Sequence, residues 1–359
     1  MLPLLLFAGL MLVAGEDVSH FWVFQTSEST GYTHMSTIEQ FPDGTLAVAF
    51  QAARETEGDN DQSIYFKKSS DMGKTWDVHA VVVDGPYAIW GPVLHYVRCY
   101  LYGRSLSPPQ FHSVSGDFNQ RGGNRSYPGG DIRYTTSKDM GSTWSPPVTI
   151  LPFATPGPYG NISKVTANKM IVSAGGQWVL PFWAEGHTVN DTGTECAGVL
   201  ISEDRGASWA PHGCLHNPST WLIENTLATT ADSWTLMFFR TQVGHIWVAN
   251  STDGGYTWSA PQPTPLLNPN SKVMVMARTD TRALVMAYNP SATERNPLAL
   301  CESNDSGFTW GKDFAVLVGG RHEVFNFAYP TPLQIGGQVF TTYSASTKQG
   351  IRLAICDLP

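Results

Sequence analysis

Four stretches of this 359-residue chain place charged or hydroxyl-bearing residues beside short apolar runs. Phe50-Gln51-Ala52-Ala53-Arg54 leads into Glu55-Thr56-Glu57-Gly58-Asp59. Ile223-Glu224-Asn225-Thr226 is followed by Met237-Phe238-Phe239-Arg240. Glu294-Arg295-Asn296-Pro297-Leu298 and Phe327-Ala328-Tyr329-Pro330 come later. Guanidinium groups grip carboxylates through paired hydrogen bonds and stay charged at any relevant pH. A carboxylate can move a proton to or from a reacting group, and a hydroxyl beside such a base can become a nucleophile. Together these residue types suit chemistry on an anionic substrate. Each has an ordinary reading as well. Arg240 and Arg295 also fit rim residues paired with local carboxylates, Glu224 and Asp59 solvated loop charges, and Tyr329 core packing. The ten histidines are scattered, and no His or Cys spacing fits a zinc site or a catalytic thiol, so the sequence asks for no metal and no cofactor.

These stretches must be held by a scaffold, and the scaffold announces itself by repetition. The pattern S-x-D-x-G-x-[ST]-W occurs five times, with its Asp at 71, 139, 204, 253 and 305. Asp accepts backbone N–H bonds in a turn, Gly takes a positive φ, Ser and Thr add short hydroxyl bonds, and Trp anchors the turn to a core. Apolar runs such as Ser63-Ile64-Tyr65-Phe66 and Ala80-Val81-Val82-Val83 flank the copies, so each reads as a hairpin turn between strands. The spacings of 68, 65, 49 and 52 residues suit one four-stranded unit per repeat.

The rest of the chain is strand and turn signal, with 34 Gly and 24 Pro punctuating short apolar runs and no long amphipathic helix. One large all-β domain follows, a six-bladed β-propeller of four-stranded antiparallel blades. The blades end near the strand after Trp76, then near Ile150, Leu215, Pro265 and Val318. A sixth lacks the repeat but keeps strands at 338–343 and 351–355. Phe21-Trp22-Val23-Phe24 is expected to complete that last blade and close the ring, removing exposed sheet edges. Blade two holds the longest loop material, between Cys99 and Gly130, which reads best as a surface insertion. A net charge of −8 and only 14% charged residues argue against nucleic-acid binding and against disorder.

Residues 1–15 read as a secretion signal, Leu2–Val13 followed by the small pair Ala14-Gly15, although the segment lacks Lys or Arg before the apolar run. The run is too short to span a bilayer. Residues 16–359 then form the propeller of a secreted or lumenal protein without a transmembrane segment. Sequons at Asn124, Asn161, Asn190, Asn250 and Asn304 fit a secretory route. The cysteines are Cys99, Cys196, Cys214, Cys301 and Cys356. Cys196 and Cys214 bracket the third repeat, compatible with a bridge across that hairpin or with buried thiols.

The repeated turns resemble the Asp-boxes of the sialidase (neuraminidase) superfamily, and the resemblance covers the whole mature chain. It implies a sialidase-like exo-glycosidase acting with retention on sialylated or other acidic glycans. By that resemblance Arg54 matches the second family Arg and Asp59 the acid/base, with Asp61 a close competitor. Glu224 matches the base that serves a Tyr nucleophile, Tyr329. Arg240 and Arg295 match the remaining carboxylate-binding arginines. The family's first Arg is replaced by His34, in Tyr32-Thr33-His34-Met35-Ser36. A Tyr nucleophile is the sialidase exception among glycoside hydrolases. It fits because a neutral hydroxyl is not repelled by the carboxylate on the anomeric carbon. Trp183, Glu185 and His187 stand where they could touch a sugar or simply finish a strand. The His34 substitution keeps two alternatives open, an enzyme for another acidic sugar such as a uronate and a non-catalytic glycan-binding propeller. Asp-rich loops in such folds can bind calcium. The sequence leaves the oligomeric state open.

Overall fold

The computed structural model describes residues 18–83, 87–97, 100–101, 104–105, 110–117, 130–186, 192–319 and 326–359. The expected signal segment, Cys99, His187, the sequons at Asn124 and Asn190, and most of the long second-blade loop lie outside these residues. Among the described residues, strands dominate and the one helical element is the 3-10 turn Gly157–Tyr159.

The strands form antiparallel sheets that follow one another along the chain. The first sheet runs Tyr32–Gln40, Leu46–Ala53, Ser63–Ser69, Ala80–Val83. The second runs Trp90–Val97, Gln110–Asp117, Asp131–Ser137, Val148–Leu151. The fourth uses Ile223–Thr229, Thr235–Arg240, His245–Ser251, Gln262–Leu267, and the fifth Met274–Ala277, Leu284–Tyr288, Leu298–Ser303, Asp313–Val318. The last uses Phe327–Ile335, Gln338–Ala345 and Gly350–Asp357, with Ser19–Gln25 added on its outer edge. These five sheets have the four strands expected of a propeller blade.

The third sheet departs from four. Its innermost strand is broken into Ser163–Val165 and Ile171–Val172, both paired with Trp178–Glu185, and then Cys196–Ser202 and Ala210–Leu215 follow. The break frees Thr166 and Asn168 to serve neighbouring sheets, as described below. Closure occurs as expected, with Ser19 opposite Ile355 and Gln25 opposite Gly350. Apolar side chains fill the gaps between sheets. Leu298, Leu300, Phe327, Val339 and Tyr343, for instance, pack the fifth sheet against the last.

The Asp-box turns join the third and fourth strands of the first five sheets. In the first copy Ser69 Oγ donates to Asp71 Oδ1 at 2.8 Å and accepts the Gly73 amide at 2.8 Å. Asp71 accepts the Thr75 amide at 2.9 Å and the Thr75 hydroxyl at 2.6 Å, and Trp76 Nε1 donates to the Gly73 carbonyl at 3.0 Å. The other four copies repeat the Ser–Asp–Gly–Thr/Ser bonds. The indole bond recurs in three of them, whereas in the fifth the Trp310 N–H finds no partner among the described residues. Gly73 has φ +85°, and a Cβ there would sit 2.3 Å from Leu353 of the last sheet, so only Gly fits this packed turn. The last sheet has no box because its third and outer strands come from opposite ends of the chain, leaving no turn between them.

Cys196 and Cys214 form the disulfide, and Cys301 and Cys356 are buried thiols. No helix among the described residues is long and apolar enough to cross a membrane.

Candidate active site

Antiparallel alternation decides which end of each sheet can build a site. The first and third strands of a sheet run the same way, so the Asp-box after the third strand lies at the end opposite the start of the first strand. His34, Glu224 and Tyr329 all lie near the start of an innermost strand. Arg240 closes a second strand, at that same end. The Asp-box carboxylates therefore face away from the site.

The starts of four innermost strands are not regular. Each carries a β-bulge, between His34 and Thr37, Trp90 and Val93, Ile223 and Thr226, and Ala328 and Thr331. At each bulge one residue takes a positive φ: Met35 (52°), Gly91 (56°), Glu224 (49°) and Tyr329 (60°). Bulges re-aim side chains, and non-glycine residues in this region cost about 1–3 kcal/mol each, a strain that clusters at functional sites. A bulge also strips carbonyls of their ladder partners. Here neighbouring sheets satisfy them. Thr331 Oγ1 donates to Ser36 O at 2.7 Å, and Thr166 Oγ1 to Gly91 O at 3.0 Å. Asn168 Nδ2 donates to Glu224 O at 2.8 Å, and Lys272 Nζ to Pro330 O at 2.7 Å. At Gly91 a Cβ would lie 1.9 Å from Thr166 O, so glycine is required there.

Two of the four bulge residues, Glu224 and Tyr329, meet in a closed triangle with Arg240. The Tyr329 hydroxyl donates to Glu224 Oε1 at 2.6 Å. Arg240 Nη1 donates to the same Oε1 at 2.9 Å and to the Tyr329 oxygen at 2.7 Å. All three are buried, at 4%, 6% and 9% exposure for Glu224, Tyr329 and Arg240. Glu224 Oε2 is buried and accepts no hydrogen bond among the described residues. The Arg295 guanidinium carbon lies 5.6 Å from the Tyr329 ring centre. His34 also lies against that ring, centroids 3.9 Å apart, and its Nδ1 bonds Ser344 Oγ at 2.7 Å.

The electrostatics follow from burial and neighbours. Burial raises the Tyr329 phenol well above the usual range; Arg240 opposes this and Glu224 adds to it. Burial works against the Arg240 charge, but Glu224 and Tyr329 more than restore it. His34 is pushed well below the usual imidazole range by burial, then by Arg295, Arg240 and Lys272, so it is neutral at neutral pH. Lys272, fully buried, is lowered to about 7 by burial, with Glu224 opposing.

The sequence-based candidates His34, Glu224, Arg240, Arg295 and Tyr329 thus converge. Arg54 does not join them. It falls just past the end of its strand, its side chain is 68% exposed, and its carboxylate neighbour is Asp61 at 4.0 Å. The buried place on that strand belongs to Gln51, paired across from His34. Its Nε2 reaches Tyr32 and Glu57, each at 3.2 Å, and its Oε1 accepts the Gly91 amide. Asp59 turns its Oδ2 to the Thr56 amide of its own loop, at 3.1 Å. Glu57, on the same loop, is the carboxyl that senses the site. It keeps solvent access yet is crowded by protein, and this desolvation raises its pKa, with Glu224 adding to the rise and Tyr32 opposing it. Gln51 and Glu57 escaped sequence reasoning, although a lone amide in the apolar run Leu46–Ala53 was a usable signal.

A polar cleft of about 350 Å³ between the third and fourth sheets is lined by Glu185, His216, Trp221, Ile223 and Gln242, and by none of the triangle residues. Glu185 lines that cleft, while Trp183 is buried in the core with its Nε1 donating to Glu185 at 2.8 Å. Among the described residues no group of three or more His, Cys, Asp or Glu is placed to hold a metal ion.

Fold and turns together define an Asp-box β-propeller of the sialidase type. A family model described as "BNR repeat-like domain" matches residues 44–341, and the chain belongs to that family. Solved structures agree on the fold. A Dyadobacter fermentans protein of unknown function superposes with TM-score 0.75 at 16% identity, covering 95% of this chain and 99% of that one. A Hadza microbial sialidase gives 0.74 at 17% identity, covering 92% of this chain and 66% of its own. A Trypanosoma rangeli sialidase mutant displaying trans-sialidase activity gives 0.72 at 17%, covering 96% and 60%. This chain thus spans just under two thirds of those two sialidases. No curated protein matches the sequence.

Proposed function

We propose that this protein is a sialidase-like exo-glycosidase that removes a terminal acidic sugar with retention, through a covalent bond to Tyr329. The observation that carries this reading is the Tyr329–Glu224–Arg240 triangle. Glu224 accepts the phenol proton as the oxygen attacks the anomeric carbon. Because burial disfavours a resting phenolate, the proton leaves in step with attack, and Arg240 offsets the charge that develops. Arg240 and Arg295 hold the substrate carboxylate. The leaving oxygen is protonated from the 55–61 loop, by Asp59 on position or Glu57 on environment. A raised pKa keeps Glu57 supplied with the proton a general acid must give. Asp59→Ala and Glu57→Gln decide between them, since loss of the acid slows substrates with poor leaving groups most. The Cys196–Cys214 bridge favours a secreted or lumenal setting.

The test is incubation with 2,3-difluorosialic acid followed by peptide mass mapping. A sugar adduct on the Tyr329 peptide is expected; turnover of a fluorogenic sialoside without an adduct would remove the nucleophile assignment. A T. rangeli sialidase has been solved as a covalent intermediate with this compound.

His34 supports a second reading, an enzyme for another acidic sugar. A neutral imidazole replaces one guanidinium, and Gln51 rather than Arg54 fills the buried place beside it. Fewer fixed cations relax the demand for an axial carboxylate on the anomeric carbon. A uronide panel run beside sialosides separates the two, and a gain of sialoside cleavage in His34→Arg favours a modified sialidase pocket. Sugar binding without turnover on any substrate would make the protein a glycan-binding propeller.

A further inference from the structure

The segment Asn268-Pro269-Asn270-Ser271-Lys272 leads into the innermost strand of the fifth sheet. Asn270 has φ +54°, a region Asn tolerates better than most residues. Its Oδ1 accepts from Arg240 Nε at 2.8 Å, and its main-chain carbonyl accepts from Arg295 Nη2 at 2.6 Å. One residue therefore fixes both guanidinium groups, one through its side chain and one through its backbone. Asn268 braces the same segment. Its Oδ1 accepts the amide of Thr241, the residue after Arg240, and its Nδ2 donates to Ser271 O at 2.8 Å. Lys272 reaches the residue after Tyr329 through Pro330 O, and Thr331 Oγ1 at 3.2 Å. Asn268, Ser271 and Lys272 are completely buried.

The chemistry of the acceptors matters. Both oxygens that orient the arginines belong to neutral amides. They fix direction without adding a second negative charge beside Arg240, which already pairs with the Glu224 carboxylate, and without placing any on Arg295. A carboxylate at the same place would orient Arg240 equally well but, together with Glu224, would leave the group around it net negative toward an anion.

We propose that Asn270 is a positioning residue that sets the spacing of Arg240 and Arg295 for an anionic sugar and, being neutral, adds no negative charge to that of Glu224. The anion part rests on the pocket reading given above. Two variants separate direction from charge. Asn270→Gly keeps the positive φ and the carbonyl but loses Oδ1. Asn270→Asp keeps an acceptor for Arg240 Nε and adds a negative charge.

The experiment combines arginine Nε–H NMR of the 15N-labelled protein with calorimetric titration of N-acetylneuraminic acid and glucuronic acid. In Asn270→Gly the protected Arg240 Nε–H signal is lost, the Arg295 signal stays, and affinity for the sugar bound by the wild type falls about tenfold. In Asn270→Asp the Arg240 signal stays, while affinity falls about a hundredfold, because a like charge now meets the ligand carboxylate. Unchanged signals and unchanged affinity in either folded variant overturn the proposal. A wild type that binds neither sugar sinks the pocket reading instead. The Nε–H signals of the two variants then still decide whether Asn270 positions the arginines.

Discussion

The Asp-box turns and the inner-strand bulges solve a similar local problem in opposite ways. Both place residues at positive φ beside a glycine-like kink. In the boxes the same sequence is used five times, on the outer side, with the Asp carboxylates in solvent. In the bulges four different residues, Met35, Gly91, Glu224 and Tyr329, occupy equivalent places in the buried centre. A box bonds its Ser, Asp, Gly and Thr or Ser groups to one another within eight residues. A bulge depends on a side chain from the neighbouring sheet. Redundant, self-contained turns hold a scaffold; unique, mutually dependent kinks can be given to chemistry.

This contrast is sharpest at Tyr329. Tyr329→Phe keeps the ring and loses the oxygen, so turnover should fall by at least about 10³-fold while the melting temperature barely moves. A variant that melts early would instead make the hydroxyl structural. Gly91→Val tests the reverse case, a bulge without chemistry. The added Cβ meets Thr166 O and the strained φ remains, so denaturant unfolding should show a loss of about 3 kcal/mol or more. Thr331→Val removes the donor to Ser36 O while keeping shape, with an expected loss of about 1–3 kcal/mol at the urea midpoint.

The boxes give the mildest and most distributed effect. Hydrogen bonds from Thr75 and Ser69 hold Asp71 at about 2, and Asp139, Asp204 and Asp253 are likewise held at about 2, though for Asp253 burial is the largest influence and opposes the hydrogen bonds. A depressed folded pKa contributes stability above the unfolded value and loses it as pH falls to the folded one. Acid denaturation should therefore steepen between about pH 4 and pH 2. Asp71→Asn should flatten that limb slightly, and a limb unaffected by any box substitution would show that the turns do not sense acid.

The same contrast explains what was legible in the sequence. The boxes were visible because they repeat, and the ring-closing strand Phe21–Phe24 because an early apolar run was available to a last blade one strand short. Glu224, Arg240, Arg295, Tyr329 and His34 were found by resemblance and do gather. Arg54 and Asp59 were matched by the same resemblance, and Arg54 proves exposed because a motif match cannot tell which residue of a strand end turns inward. Gln51 takes the inward place and Glu57 the crowded one. Asn270 and Lys272 were missed because neither touches a recognisable motif. A lysine leading directly into Val273-Met274-Val275-Met276 was nevertheless a charge with nowhere to go but a buried partner.

Closure by Ser19–Gln25 has a consequence for biosynthesis. A strand made early must wait for Gly350–Asp357, made much later, before the seam between the first and final sheets can be sealed. His34 lies on one side of that seam, and Ser344 and Tyr329 lie on the other. The pocket is therefore assembled by the same late event that finishes the ring, so a nascent chain with most of its blades formed still lacks its reactive centre.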